Sequence, residues 1–477
     1  MFATFCALCG TEAAERMYDL EYISLYVLVG VTAYLLLRGL LSRPNMLKFP
    51  FLASAVVAGW FIPQAIGLVD DPRLPQGGFV LTMMMASLCL LATVLGEKST
   101  RPKPNILIAR YDRRQLLIGA AVLSAVGLAA FNLILRTPAQ VNDAGLTTGV
   151  VTILFFFSTL KFFGLAIALL LLLERFSWPA LVIVAVDLNA IASFVLFGGR
   201  RGPAVEAFLI VACALWFQRR FILPRTVLIV AVVVASFLGN SIGEYRRLVT
   251  SINEYRTGEE ARLPGIDEIL QIDFLDDFGR VLESGSYEAR NAVMYIAGSQ
   301  ETGQFDFGTG YWNYLVFRYV PGQLVGFNIK QGLMFDLPDN SVDAFRYERH
   351  IGTSFTGFAD AFISFWFFGV VVFAGIAALL TRWWDRAMVG AFEAKLFYCL
   401  SIVTAIQSVS HGTQWFLALL PQLFIFTIPI LIWARRGYTP ASSTPYRPPA
   451  QVFRGRRTRH TSQRLNTMQS QSRSPVR

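Results

Sequence analysis

The sequence predicts an all-α polytopic membrane protein, and three observations support this prediction. Of the 477 residues, 54% are hydrophobic and 16% are charged, whereas a soluble globular chain is about 25% charged. The mean hydropathy is +0.49. Apolar runs long enough to cross a bilayer recur along the chain. Together these features exclude a purely water-solvated fold.

A membrane-spanning helix needs roughly 20 mostly apolar residues, and eleven segments meet that requirement. These predicted spans are 22–41, 50–68, 78–96, 116–135, 150–173, 179–197, 203–218, 226–242, 356–380, 396–414 and 415–433. The first sixteen residues lack the basic start and long apolar core of a signal peptide. We therefore expect residues 1–21 to form an exterior N-terminal segment that precedes a retained first span.

The distribution of Lys and Arg between alternate connections predicts the orientation of the chain. One set of alternate connections, counted with the C-terminal tail, contains 26 Lys and Arg residues, and the opposite short connections contain 5. Cytoplasmic loops are the ones enriched in these residues. The N-terminus is therefore predicted to be outside and the C-terminus cytoplasmic.

Two long segments are not predicted to cross the membrane. Residues 243–355 contain 17 acidic and 10 basic side chains, and we expect a folded exterior loop there. Tyr311, Trp312 and Tyr319 belong to an aromatic stretch in this loop, typical either of a helix in the headgroup plane or of a subdomain core. Residues 434–477 contain ten Arg and no acidic residue and are predicted to be a basic, disordered cytoplasmic tail.

The segment Gly198-Gly199-Arg200-Arg201-Gly202-Pro203 joins the sixth and seventh predicted spans on the outer side. Two adjacent Arg residues in a short exterior loop oppose the charge bias, so Arg200 and Arg201 are predicted to bind an anion. Phosphate fits best, because guanidinium matches its oxygens, and Pro203 suits the first turn of a helix whose N-terminus favours an anion. The alternative is that both side chains only reach lipid headgroups.

Further cations and carboxylates are candidates for the same site. Arg246 and Arg318 follow in the long loop and could line a diphosphate pocket, or could pair with its many carboxylates. Glu206 lies one turn inside the seventh span and Asp360 just inside the ninth. Either carboxylate could remove a proton from a hydroxyl. His411 is a third candidate base, with a packing role as its alternative.

Other chemistries lack support in the sequence. There is no P-loop, no G-x-G-x-x-G after a strand and no H-E-x-x-H. With three His and five scattered Cys, no metal or other cofactor is predicted, and no nucleic-acid partner. Asp187 and Lys161 lie within spans, where ionisable residues are costly, and could pair with each other or serve a cation-coupled carrier.

The pattern resembles the Wzy-type oligosaccharide repeat unit polymerases, the O-antigen polymerase family. The likeness covers residues 20–433 in topology, with a long exterior loop before the last spans. The matching motifs are Gly199-Arg200-Arg201-Gly202, Arg318-Tyr319-Val320-Pro321, Gly352-Thr353-Ser354, Phe358-Ala359-Asp360-Ala361-Phe362 and Phe368-Gly369. The Arg-rich tail is a departure, since the family does not require it.

The resemblance implies a metal-independent membrane glycosyltransferase of the bacterial inner membrane. Its substrate would be a polyprenyl-diphosphate-linked oligosaccharide, and its further partners the bilayer, a flippase and a chain-length regulator. Arg200, Arg201, Arg246 and Arg318 would stabilise the departing diphosphate. Asp360 would be the first choice of base, because its position matches the acidic residue of the family, and Glu206 the second.

Three other functions remain open from the sequence. A ligase would move a finished glycan from the same lipid carrier to another acceptor. A transporter, such as a flippase for lipid-linked sugars, is disfavoured by the long exterior loop and the absence of an internal repeat. A structural membrane protein would leave Arg200 and Arg201 unexplained.

Overall fold

The computed structural model describes most of the chain. The described residues are 2–100, 107–137, 140–141, 147–148, 150–198, 201–221, 224–227, 229–230, 233, 248, 265, 268, 274–350 and 353–440.

The chain is an all-α polytopic membrane protein, which confirms the predicted fold class. Within the described residues, nine helical stretches are long and apolar enough to cross a membrane. They are Asp19–Leu41, Phe49–Ile66, Gly78–Ser99, Arg113–Ile134, Val150–Glu174, Trp178–Leu196, Thr356–Met388, Phe392–Ser410 and Gln414–Ala434. Each coincides with a predicted span to within a few residues, except that the seventh extends well beyond residue 380.

Two of the eleven predicted spans have no counterpart among these nine. Residues 203–218 fall within a helix, Arg201–Arg219, that is not one of the nine candidate spans. Residues 226–242 lie mostly outside the described residues. The total of eleven spans stays a prediction.

The first half of the chain contains nine α-helices. They are α1 (Phe2–Leu41), α2 (Phe49–Val56), α3 (Ile62–Ile66), α4 (Gly78–Ser99), α5 (Arg113–Arg136), α6 (Val150–Ser158), α7 (Leu160–Glu174), α8 (Trp178–Gly198) and α9 (Arg201–Arg219). A 3-10 turn (Arg43–Leu47) precedes α2, and a π-helical turn (Val57–Phe61) joins α2 to α3. Helix α1 is continuous from Phe2, so the predicted exterior N-terminal segment extends the first span.

The described part of the long loop is helical. It contains α10 (Phe274–Ser284), α11 (Tyr287–Thr302), α12 (Thr309–Tyr319), α13 (Gly322–Val325), α14 (Phe327–Gly332) and α15 (Asn340–Phe345). The C-terminal part contains α16 (Thr356–Phe365), a 3-10 turn (Trp366–Gly369), α17 (Val370–Met388), α18 (Phe392–Ser410), α19 (Gln414–Gln422), a π-helical turn (Leu423–Thr427) and α20 (Ile428–Ala434).

Two antiparallel strand pairs are the only β-structure in the described residues. Strand β1 (Leu107–Tyr111) pairs with β4 (Arg435–Pro440), and β2 (Gln140–Val141) pairs with β3 (Thr147–Thr148). Asp112 caps α5 and also accepts a hydrogen bond from Arg436, the second residue of β4. The start of the predicted disordered tail is therefore ordered, and residues 441–477 lie outside the described part.

The buried apolar side chains form two clusters. One joins α1, α2 and α4 to α11 and α16–α18, and the other joins α5 and α7–α9 to α18–α20. Helices α5 and α7 approach closely because Gly164 has no side chain: a Cβ there would lie 2.8 Å from the carbonyl oxygen of Ala120. The second cluster holds the membrane helices on which the candidate site is built.

The predicted ninth span is not one straight helix. Trp366 has φ 53° between α16 and the 3-10 turn, and the rings of Phe358 and Phe373 stack with centroids 5.6 Å apart. A Cβ on Gly369 would lie 2.1 Å from the carbonyl oxygen of Ala361, so only glycine permits this close approach. Helix α16 therefore folds back on the first turn of α17.

Asp71 fastens the connection between α3 and α4 to the long loop. Its carboxylate lies 2.8 Å from Arg73 Nε and 2.7 Å from Arg290 Nη2 on α11. The hydrogen bond from Arg73 lowers the pKa of Asp71 below its ordinary value of 3.8, against the opposing effect of burial. Asp71 is therefore ionised at neutral pH. Its ion pair with Arg290 links the α3–α4 connection to α11.

Candidate functional site

Helix α12, which contains the predicted aromatic stretch, packs along α19. Its N-terminus follows Gly308, whose φ of 88° is in the left-handed region, and its C-terminus precedes Pro321. The hydroxyl of Tyr311 lies 2.6 Å from Thr413 Oγ1, and the hydroxyl of Tyr319 donates to the carbonyl oxygen of Ala418. These two contacts place the predicted site residue Arg318 against a membrane helix.

Asp360 on α16 lies at the N-terminus of α19. It is 8% exposed. The backbone N–H of Thr413 donates to Asp360 Oδ2 over 2.7 Å, and the Thr413 hydroxyl donates to the same oxygen. With its amide oriented to donate, Gln414 Nε2 lies 2.8 Å from Oδ1 and 2.7 Å from Oδ2. Both carboxylate oxygens are thus occupied at a helix N-terminus, where negative charge is stabilised.

The direction of the hydrogen bonds around Thr413 follows from its single hydroxyl proton. Because Asp360 accepts that proton, Thr413 Oγ1 must accept the proton of Tyr311 in turn. Burial raises the pKa of the Tyr311 phenol, and the charge of Asp360 acts in the same direction. Tyr311 therefore stays protonated and completes a chain that links α12, α19 and α16.

Arg318 is one turn past Tyr314 on α12. Its guanidinium lies 6.0 Å from the ring centroid of Phe156 on α6, a distance compatible with a cation–π contact. The hydroxyls of Tyr314 and Tyr319 also interact with it. Its Nε is buried and has no hydrogen-bond partner in the part of the chain that the structure describes. Arg318 therefore keeps an unused donor at a position where a buried donor ordinarily has a partner.

Glu206 on α9 is the second predicted site residue near Arg318. Its carboxylate is within electrostatic range of Lys161 on α7 and of Arg318. It is partly buried and forms no hydrogen bond or ion pair with another described residue. The structure thus places Arg318 and Glu206 within electrostatic range of each other, although they are far apart in the sequence. The hydroxyl of Tyr314 interacts with Arg318 and is within electrostatic range of Asp360. Tyr314 therefore links the Arg318–Glu206 pair to Asp360.

Lys161 and Asp187, the intramembrane charges, form no direct ion pair. Lys161 Nζ lies 4.0 Å from the ring centroid of Phe131 and 5.3 Å from that of Phe194. Asp187 is fully buried, and its Oδ2 accepts a 2.7 Å hydrogen bond from Ser124. The charge of Asp187 still reaches Lys161, so the two side chains interact only at longer range.

The other predicted arginines are not described at the side-chain level. Arg200 and Arg246 lie outside the described residues. Arg201 is the first residue of α9, five residues before Glu206, and its side chain is not described. Along a helix axis this separation is about 7.5 Å. Arg201 and Glu206 therefore both lie in the first two turns of α9. The anion-binding roles of Arg200, Arg201 and Arg246 stay predictions.

Sequence reasoning did not identify Thr413, Gln414 and Tyr314 as site residues. Thr413 and Gln414 follow His411-Gly412 at the end of the tenth predicted span, 396–414, which the eleventh follows without an intervening loop. The only available signal was a pair of polar side chains at the start of an apolar run. The neighbouring His411 bonds through Nδ1 to Ser410 Oγ at 2.8 Å and packs on Trp415.

In the described residues, no group of three or more His, Cys, Asp or Glu side chains is placed to hold a metal ion. No protein-family model matches the sequence, and neither a curated protein nor a solved structure matches it.

Proposed function

We propose that the chain polymerises polyprenyl-diphosphate-linked oligosaccharide repeat units at the outer face of a bacterial inner membrane. The observation that carries the proposal is that Arg318 and Glu206 lie within electrostatic range of each other beside membrane helices, with one donor of Arg318 unpartnered among the described residues. A cation for a departing diphosphate and a carboxylate for an attacking hydroxyl are the two groups that such a transfer needs.

In the proposed reaction, a sugar hydroxyl of the lipid-linked acceptor attacks the anomeric carbon of the donor chain. A new glycosidic bond forms as the bond between that carbon and the donor diphosphate breaks. Glu206 accepts the hydroxyl proton, and Arg318 stabilises the charge that develops on the diphosphate. Arg200, Arg201 and Arg246 are proposed to add to this positive field.

We assign Asp360 a positioning role in this scheme, in contrast to its role as first-choice base in the sequence prediction. Its carboxylate already accepts hydrogen bonds from Thr413 and Gln414, so a substrate hydroxyl would have to displace one of them. Through Thr413, Asp360 orients Tyr311 and with it helix α12, which carries Arg318.

The test is a gel of cell-surface polysaccharide and of lipid-linked intermediates from cells that express Arg318→Ala as their only copy of the chain. Removing the guanidinium should abolish long chains and leave single lipid-linked repeat units, at unchanged protein level. Arg349→Ala is the matched control, because Arg349 belongs to the same loop and lies over the ring of Phe355, 5.3 Å from its centroid. This variant should make chains of normal length.

Other outcomes would favour the alternative functions. Long lipid-linked chains that stay unattached would indicate a ligase. An unchanged glycan profile in cells without the gene would contradict the polymerase and make a transporter the next hypothesis. Lys161 and Asp187 support that second candidate, because charged residues buried within spans often mark ion or substrate pathways.

A further inference from the structure

Helix α12 descends beside two membrane spans. Tyr311 contacts Thr413, the residue before the span Gln414–Ala434, whereas Tyr319 contacts Ala418, four residues inside that span. Arg318 and Tyr319 also contact the ring of Phe156, six residues inside the span Val150–Glu174. At 1.5 Å per residue, these contacts place the end of α12 about 6–9 Å below the ends of the two spans.

The chain then returns to the level at which α12 began. Trp312 Nε1 donates to the carbonyl oxygen of Leu333 over 2.8 Å. Asn313 pairs with the backbone of Phe335 through two hydrogen bonds of 2.7 and 2.8 Å. Lys330 Nζ donates to the carbonyl oxygen of Phe317 over 3.0 Å. Residues 309–335 therefore form a helical hairpin, called the hairpin below, with its tip between Val320 and Ile329.

The tip of the hairpin exposes large apolar side chains. Leu324 is 78% exposed, Phe327 59% and Ile329 62%. Part of its backbone is bonded within the two short helices: the N–H of Gly326 donates to Gly322 O over 2.9 Å, and that of Lys330 to Gly326 O over 3.1 Å. Exposed apolar side chains and internal backbone hydrogen bonds are both features that a lipid environment favours.

We propose that the hairpin is re-entrant, and that its tip contacts the acyl chains of the outer leaflet. Exposed apolar side chains of the adjacent span support this occupant: Phe424 and Ile425 are 65% and 54% exposed and lie six and seven residues past Ala418. The tip follows Tyr319, which contacts the carbonyl oxygen of Ala418, and therefore begins within the length of that span. The hairpin thus delivers Arg318 to the membrane side of the candidate site, independently of which reaction takes place there.

The test is site-specific fluorescence in reconstituted vesicles. An environment-sensitive NBD dye is attached to Leu324→Cys, in a background in which Cys6 and Cys9 are replaced by Ser; the other three cysteines, Cys89, Cys213 and Cys399, are buried and free. The unsubstituted background, labelled in parallel, corrects for any reaction at buried thiols. Phe307→Cys is the matched control, because Phe307 is 76% exposed and apolar but precedes the hairpin.

The dye at position 324 should emit at shorter wavelength than at 307. It should lose intensity with nitroxides attached to the acyl chains and should be protected from aqueous iodide, with the opposite pattern at 307. Equal iodide quenching at both positions would overturn the proposal. Protection at 324 from both quenchers would also overturn it, because a protein surface would then cover the tip. Quenching of 324 by headgroup nitroxides alone would also overturn the proposal, because the hairpin would then lie flat on the bilayer.

Discussion

Two carboxylates beside helix α12 have opposite surroundings. Asp360 is 8% exposed and accepts hydrogen bonds from Thr413 and Gln414 at the start of a membrane helix. Glu206 is partly buried, forms no hydrogen bond with another described residue, and is within range of the charges of Lys161 and Arg318.

The difference separates a structural carboxylate from an available one. A buried charge whose acceptor sites are all occupied stabilises the fold around it, and its removal leaves donors without partners. A carboxylate that is held by charge alone can still accept a proton from a substrate. Asp360 positions α12 through Thr413 and Tyr311, and α12 brings Arg318 within electrostatic range of Glu206.

The largest expected effect is that of Glu206→Gln on the polymerisation rate. Loss of the proposed base should slow chain elongation by about 10²–10⁴-fold, the range typical of general base catalysis. The measurement is the rate with purified protein and lipid-linked repeat units. Glu283→Gln is the control, because Glu283 is exposed on α10 and should have no effect on the rate.

One pair of results would exchange the roles assigned to Asp360 and Glu206. Full activity of Glu206→Gln, together with an inactive but normally stable Asp360→Asn that still binds donor, would return the role of base to Asp360. That outcome would also make the hydrogen bonds from Thr413 and Gln414 part of the reacting site.

The second effect is on stability. Asp360→Ala should lower the free energy of unfolding by about 3 kcal/mol, since it leaves the donors of Thr413 and Gln414 unpartnered in a buried site. The measurement is reversible unfolding in detergent. Glu206→Gln serves as the control and should change the free energy of unfolding little, and equal losses in both variants would remove the distinction between the two carboxylates.

A third carboxylate, Asp71, should make the free energy of unfolding depend on pH. Its folded pKa is lowered by Arg73 and Arg290, so its contribution to stability is present above its ordinary pKa of 3.8. The contribution is lost as the pH falls through the lower folded value. Wild type should therefore lose more unfolding free energy than Asp71→Asn between neutral and acid pH, by about 1.5 kcal/mol. Parallel pH profiles of the two proteins would contradict this account.

The smallest expected effect is that of Tyr311→Phe. Removing the phenol hydroxyl deletes one hydrogen bond to Thr413 and should cost about 1 kcal/mol of unfolding free energy. The polymerisation rate should fall less than in Arg318→Ala, because α12 keeps its contact through Tyr319. A rate as low as that of Arg318→Ala would mean that Tyr311 itself contacts substrate.

The membrane spans were predictable from the sequence, and the pairing of the site residues was not. Nine of the predicted spans coincide with helical stretches, because apolar length is a property of consecutive residues. Glu206, Arg318 and Asp360 were identifiable as candidates from their types and positions. Their different partners were not identifiable from the sequence, since Thr413 and Gln414 reach Asp360 only when α16 folds back beside the start of α19.

The sequence by itself determined that this is a polytopic helical membrane protein with a long loop before its last spans. Only the tertiary structure decided that α12 descends beside two spans, that Arg318 lies within electrostatic range of Glu206, and that Lys161 and Asp187 do not pair directly. The physical reason is that hydropathy acts residue by residue along the chain. Contacts between distant charges depend on how whole helices pack, which no local pattern specifies.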